Sequence, residues 1–138
     1  MIDSNHKAAL RELAYRYAQA VDRRDWTMLA ALFTPDASVQ GPGFSLDGRD
    51  AIVAGMGAMA QYRVTQHHVH NQLVEFDGPS ARVETYCVAH HLYERDSRTR
   101  KLDWGIRYQD RCVCEGGEWR FAHRVLVLDW TQDLPAQE

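Results

Sequence analysis

The sequence predicts an α+β fold on three observations: apolar residues recur at helical spacing up to residue 62, β-rich runs fill the remainder, and tight-turn residues punctuate those runs. Helices first and a long curved meander afterwards imply that the helices cover one sheet face. With 138 residues and 45% hydrophobic content, the chain suits one domain, 1–138, with a core of its own.

From Ser4 to Arg23, the residues Leu10, Leu13, Ala14, Tyr17, Ala18 and Val21 recur at three- and four-residue steps, the stripe of an amphipathic helix with Ser4 or Asn5 as N-cap. Trp26, Leu29, Ala30, Leu32 and Phe33 continue as a second short helix. Thr34-Pro35-Asp36 is expected to stop it, because proline disfavours a helical residue before it, and Ala37 to Gln40 should be extended. Gly41-Pro42-Gly43 and Asp47-Gly48 read as turns around another short extended piece. Arg49 to Tyr62, with alanine and methionine at helical spacing, predicts a third helix. Strands follow at roughly 64–76, 82–95, 101–114 and 118–130, joined through Asp77-Gly78-Pro79, Asp96-Ser97 and Glu115-Gly116-Gly117 as an antiparallel meander.

The formal net charge of −3 comes from 16 basic and 19 acidic residues spread along the chain. Without clustered cations the sequence argues against nucleic acid and against an anionic membrane surface. No apolar run approaches the roughly 20 residues that span a bilayer, and Met1-Ile2-Asp3-Ser4 lacks a charged head followed by a hydrophobic signal core. The expected location is the cytoplasm. Cys87, Cys112 and Cys114 are an odd number, and Cys112 and Cys114 share one strand face, where neighbours two apart seldom bridge. They read as reduced packing residues rather than a zinc site.

Several polar residues sit where a plain core would not need them. Asp22 lies near the edge of the first helix's apolar stripe and at its C-terminus, where a carboxylate meets the negative end of the macrodipole. Gln66-His67-His68-Val69-His70-Asn71 opens a strand with His67 on one face and His68 and His70 on the other. His68 and His70 could chelate a metal, but no third ligand accompanies them, so no metal is expected. On the next strand Arg82, Glu84 and Glu94 mark an outer face, which turns His91 inward with Val83, Thr85, Cys87, Ala89 and Tyr93, and His90 outward. Trp104, Ile106 and Tyr108 alternate against Asp103, Arg107, Gln109 and Arg111, and the last strand offers Leu126, Leu128 and Trp130 on one face. These aromatics could equally line a pocket or fill a core.

Certain pieces resemble the SnoaL-like group of the nuclear-transport-factor-like superfamily over nearly the whole chain. They are the helix ending Tyr17-Ala18-Gln19-Ala20-Val21-Asp22-Arg23-Arg24-Asp25-Trp26, then Leu32-Phe33-Thr34-Pro35-Asp36-Ala37, and Gly48-Arg49 opening a helix. His67-x-x-x-Asn71 heading a strand that ends at Asp77-Gly78, and Trp119-Arg120-Phe121-x-x-Arg124 opening the last, complete the set. The resemblance implies a cone-shaped barrel: a curved, mixed, mostly antiparallel sheet with three N-terminal helices enclosing a pocket. Members such as hexachlorocyclohexane dehydrochlorinase, scytalone dehydratase and bile acid 7α-dehydratase use an Asp and His pair for elimination, and Asp22 and His67 match those positions. Arg124 matches an arginine that several of these lyases place in the cavity. Tyr17 looks like the tyrosine of the bile acid dehydratase, where the dehydrochlorinase has lysine. His91 resembles a second histidine of scytalone dehydratase, whose tyrosine before the aspartate is Val21 here.

These matches imply a cofactor-free lyase of dehydratase type, or an isomerase or cyclase. His67 would be the base and Asp22 its orienter, with Tyr17, Arg124, Tyr108 and His91 as donors to developing charge. Trp104, Tyr108, Leu126 and Leu128 would line a site for a small apolar ring compound such as a polyketide, steroid-like or aromatic intermediate. The alternative is a carrier or sensor that uses the same cavity without chemistry. Tyr86, Val88 and Leu92, on the outer side of their strand, would suit a homo-oligomer, a dimer or trimer.

Overall fold

The computed structural model describes residues 2–137; Met1 and Glu138, the ends of the span read as one domain, lie outside the described residues. Helix α1 (Ile2–Asp22) buries Leu10, Leu13, Ala14, Tyr17, Ala18 and Val21, the expected stripe. It ends in a left-handed turn in which Arg24 has φ 57°. Asp25 N–H donates to Ala20 O at 2.8 Å and Arg24 N–H to Val21 O at 3.1 Å, the bond pair of a Schellman motif. Asp25 then caps α2 (Trp26–Ala31) by accepting from Met28 N at 3.1 Å.

Helix α2 stops short of Phe33, which instead opens β1 (Phe33–Gly41). Thr34-Pro35-Asp36 therefore lies within a strand rather than between elements. The register jumps from Phe33 opposite Phe121 to Ser38 opposite His123, so these residues bulge out, and a bulge needs no ladder donor from proline. The third helix is also shorter than its periodicity suggests. Helix α3 (Arg49–Met56) passes into a 3₁₀ helix, Gly57–Gln61, none of whose residues is buried to hold an α-helical ladder.

The sheet comprises β1, β2 (Phe44–Asp47), β3 (Val64–Asp77), β4 (Ser80–Arg95), β5 (Arg98–Glu115) and β6 (Glu118–Pro135) in the order β2-β1-β6-β5-β4-β3. Strands β1 and β6 run parallel and every other pair antiparallel. This is the mixed, mostly antiparallel cone expected, although β2 and β3 do not pair with each other and the sheet curves without closing. Among the described residues, no helix is long and apolar enough to cross a membrane.

One strand face departs from simple alternation. Ile106 pairs with Leu128 but Gly105 with Trp130, so Asp129 is an extra residue in β6. That bulge moves Trp130 off the Leu126–Leu128 face and onto the outer face over Gly105, where a Cβ would collide with the indole. Cys87 and Cys112 are buried free thiols and Cys114 is half-buried, which suits packing. Burial pushes the Cys87 thiol up to about 12, far from a reactive thiolate.

Candidate active site

Asp22, the last residue of α1, meets β3 at its exposed edge. Its Oδ1 accepts from His67 Nδ1 at 2.7 Å and from Thr65 Oγ1 at 3.0 Å, while Oδ2 accepts from the His67 backbone N–H at 2.9 Å. Burial alone would raise this carboxyl. The His67 ring bond, the His67 charge and backbone N–H, and the Thr65 hydroxyl more than offset it and hold Asp22 below its ordinary value. An ionised carboxylate only accepts, so the proton of a neutral His67 sits on Nδ1 and Nε2 keeps its lone pair.

His67 lines a cavity of about 320 Å³, while Asp22 sits behind the ring and outside that lining. Phe44 and Leu46 from β2, Met56 from α3 and Met59 from the 3₁₀ helix form one wall. Trp104, Ile106, Tyr108 and Leu126 supply the sheet side. Leu128 is not in the lining and packs against the core instead. The volume falls at the lower end of small-molecule sites, roughly 300–1,000 Å³.

His91 also lines the cavity, 6.2 Å from His67 between ring centroids and 5.1 Å from Trp104. Its Nδ1 donates to Leu102 O at 2.9 Å, which again leaves Nε2 as an acceptor. His90 takes the outer face and bonds Asp103 Oδ1 at 2.6 Å. Burial holds the His91 imidazole below its ordinary value, against the opposing Leu102 bond. The folded protein therefore resists a proton that the unfolded chain accepts, and stability is lost as pH falls below the ordinary imidazole value of 6.5. His91→Gln is expected to flatten the dependence of the urea midpoint on pH below about 6.5. An unchanged slope in that variant would remove His91 from the acid response.

Tyr17 and Tyr108, both buried, face the cavity, and burial raises both phenols, so each remains an O–H donor at neutral pH. Arg124 lies behind them rather than in the cavity. Its guanidinium carbon is 4.3 Å from the Tyr17 ring centroid, 3.7 Å from Tyr108 and 4.1 Å from Phe121. It forms a bidentate pair with Asp110 at 2.8 and 2.9 Å, and Nη1 has no hydrogen-bond partner. Arg124 can thus polarise the two phenols through their rings, which is a different act from touching a ligand.

Asp110, Thr65 and Arg24 escaped the sequence reading. Asp110 carried a signal, since it is a charge on the apolar parity of Tyr108 and Cys112. Thr65 shares the parity of His67, but a threonine on a strand attracts no notice. Among the described residues, no group of three or more His, Cys, Asp or Glu side chains is arranged to hold a metal ion.

Helices over one face of a curved mixed sheet, with an apolar cavity between them, define the nuclear-transport-factor-like fold. The SnoaL-like domain profile matches residues 3–125, and the chain belongs to that family. Among solved structures, a candidate scytalone dehydratase of Novosphingobium aromaticivorans superposes with a TM-score of 0.86 at 29% identity, covering 99% of this chain and 94% of that one. A hexachlorocyclohexane dehydrochlorinase of Novosphingobium barchaimii reaches a TM-score of 0.85 at 15% identity, covering 99% and 94%, a likeness of fold alone. An uncharacterised Mycobacterium tuberculosis protein is 28% identical over 119 residues, 84% of this chain and 80% of that one.

Proposed function

We propose that this chain is a cofactor-free lyase of dehydratase type, or an isomerase or cyclase, acting on a small, largely apolar ring compound bearing a few oxygens. The reading rests on one observation: Asp22 is closed by three donors, two of them from His67, whose ring lines an apolar cavity. A neutral imidazole in that position suits removal of a carbon-bound proton beside a carbonyl. Nε2 would take that proton, the electron pair would move toward the carbonyl oxygen, and Tyr17 and Tyr108 would donate to the charge developing there. As the carbon–oxygen bond to a neighbouring hydroxyl breaks, the imidazolium returns its proton and water leaves. The 29% identical candidate scytalone dehydratase supports dehydration over other eliminations.

A carrier with the same cavity is the second reading, favoured by the predominance of apolar side chains in the lining. Deuterium exchange separates the two. In heavy water, a panel of neutral hydroxylated cyclic ketones should exchange the proton beside the carbonyl or lose water, and should do so after exhaustive chelation. Binding without exchange or dehydration would favour the carrier, and loss of activity restored by added zinc would overturn the mechanism. We assign the chain as a homo-oligomer, because Tyr86 and Trp130 remain 42% and 48% exposed on the outer sheet face. A monomer by sedimentation would remove that assignment.

A further inference from the structure

The left-handed turn after α1 breaks a local rule. Position 24 is the usual place for glycine, because a side chain is strained at positive φ, yet it carries arginine at φ 57°. Both terminal nitrogens of the guanidinium are used, and three of their four bonds cross the fold. Nη1 donates to Val21 O and to Thr65 Oγ1, each at 2.7 Å, and Nη2 to Met59 O and Tyr62 O, each at 3.0 Å.

Two of these bonds act on the cavity wall. Residues 57–61 are not buried, yet Met59, together with Tyr62 just beyond, lines the cavity. Met59 is the one side chain of residues 57–61 that packs against the core, and the two carbonyl bonds to Arg24 fasten the segment to the end of α1. The Thr65 bond acts on the carboxylate. A threonine hydroxyl has one proton; with Oγ1 accepting from Arg24, that proton goes to Asp22 Oδ1. Arg24 itself is not part of the cavity lining.

We propose that Arg24 is a positioning residue: one guanidinium latches the 3₁₀ wall and, through Thr65, fixes the carboxylate that holds His67. The inference rests on the reading of Asp22 and His67 as the site, and it deepens that reading by tying wall closure to an intact pair.

Residue-resolved amide hydrogen exchange on the full chain tests the latch without any substrate. The His67 amide reports on Asp22, to which it donates, and the Tyr62 amide reports on the wall, where it donates to Met59 O at 3.0 Å. Arg24→Gln is expected to speed exchange at both amides by about tenfold or more, leaving Tyr108 and Phe121 unchanged. Thr65→Val should speed His67 alone, and Thr65→Ser should restore it. Faster exchange confined to the last turn of α1 would reduce Arg24 to a helix cap and overturn the proposal. If Arg24→Gln does not fold, an unchanged His67 amide in Thr65→Val overturns it equally. Because none of these readouts involves turnover, a His67 that proves not to be the base leaves the latch standing, and a failed latch leaves the base untouched.

Discussion

Replacing His67 by alanine is expected to lower turnover by about 10²- to 10⁴-fold, the usual contribution of a positioned general base. Asp22→Asn should be nearly as damaging, although the side chain keeps its shape. The neutral amide cannot balance an imidazolium, and its NH₂ group can turn toward Nδ1 and force the ring proton onto Nε2, where the base lone pair is needed. The Asp22 loss should appear in kcat more than in KM, because Asp22 sits behind the ring and outside the cavity lining. Full activity in His67→Ala would move the base to His91, the other imidazole in the lining with an unprotonated Nε2.

The largest stability effect is expected at the ion pair of Asp110 and Arg124, whose side chains are each 1% exposed. Asp110→Ala leaves a buried guanidinium without its counter-ion and should cost about 3–5 kcal/mol. Arg124→Met should be costly too, since it strands the carboxylate and removes the cation from between the Tyr17, Tyr108 and Phe121 rings. Replacing both residues by apolar side chains of similar volume should recover much of the loss, because the two desolvation costs vanish together. Urea denaturation of the three variants measures this. Single variants within about 1 kcal/mol of the parent would show the pair to be solvated, as exposed pairs are.

The helix order, the meander and the inward parity of His91 could be read from the sequence because each rests on local periodicity, which burial on one face enforces. Trp130 could not. Its side depends on one extra residue, Asp129, and a bulge leaves no mark on a hydrophobic pattern until the partner strand is in place. The expectation that Arg124 reaches the cavity missed for a related reason: Asp110 lies directly across the ladder from it and draws the guanidinium behind the phenols. Arg24 was least legible of all, since three of its four acceptors are backbone carbonyls, two of them 35 and 38 residues away, and carbonyls have no sequence signature.

The bond from the His67 backbone N–H to Asp22 also bears on how the protein behaves in concentrated solution. Strand β3 is the last in the sheet, and the outward N–H and C=O groups of a terminal strand are a template for another chain. Asp22 occupies one of those donors and presents a charge beside it, so the carboxylate serves as a gatekeeper against edge-to-edge association. Further along the same strand Leu73 is 77% exposed, an apolar surface that an incoming strand could cover. Removing the carboxylate thus opens a sticky edge as well as disarming an imidazole, and Asp22 variants should show more light scattering on concentration than His67 variants do.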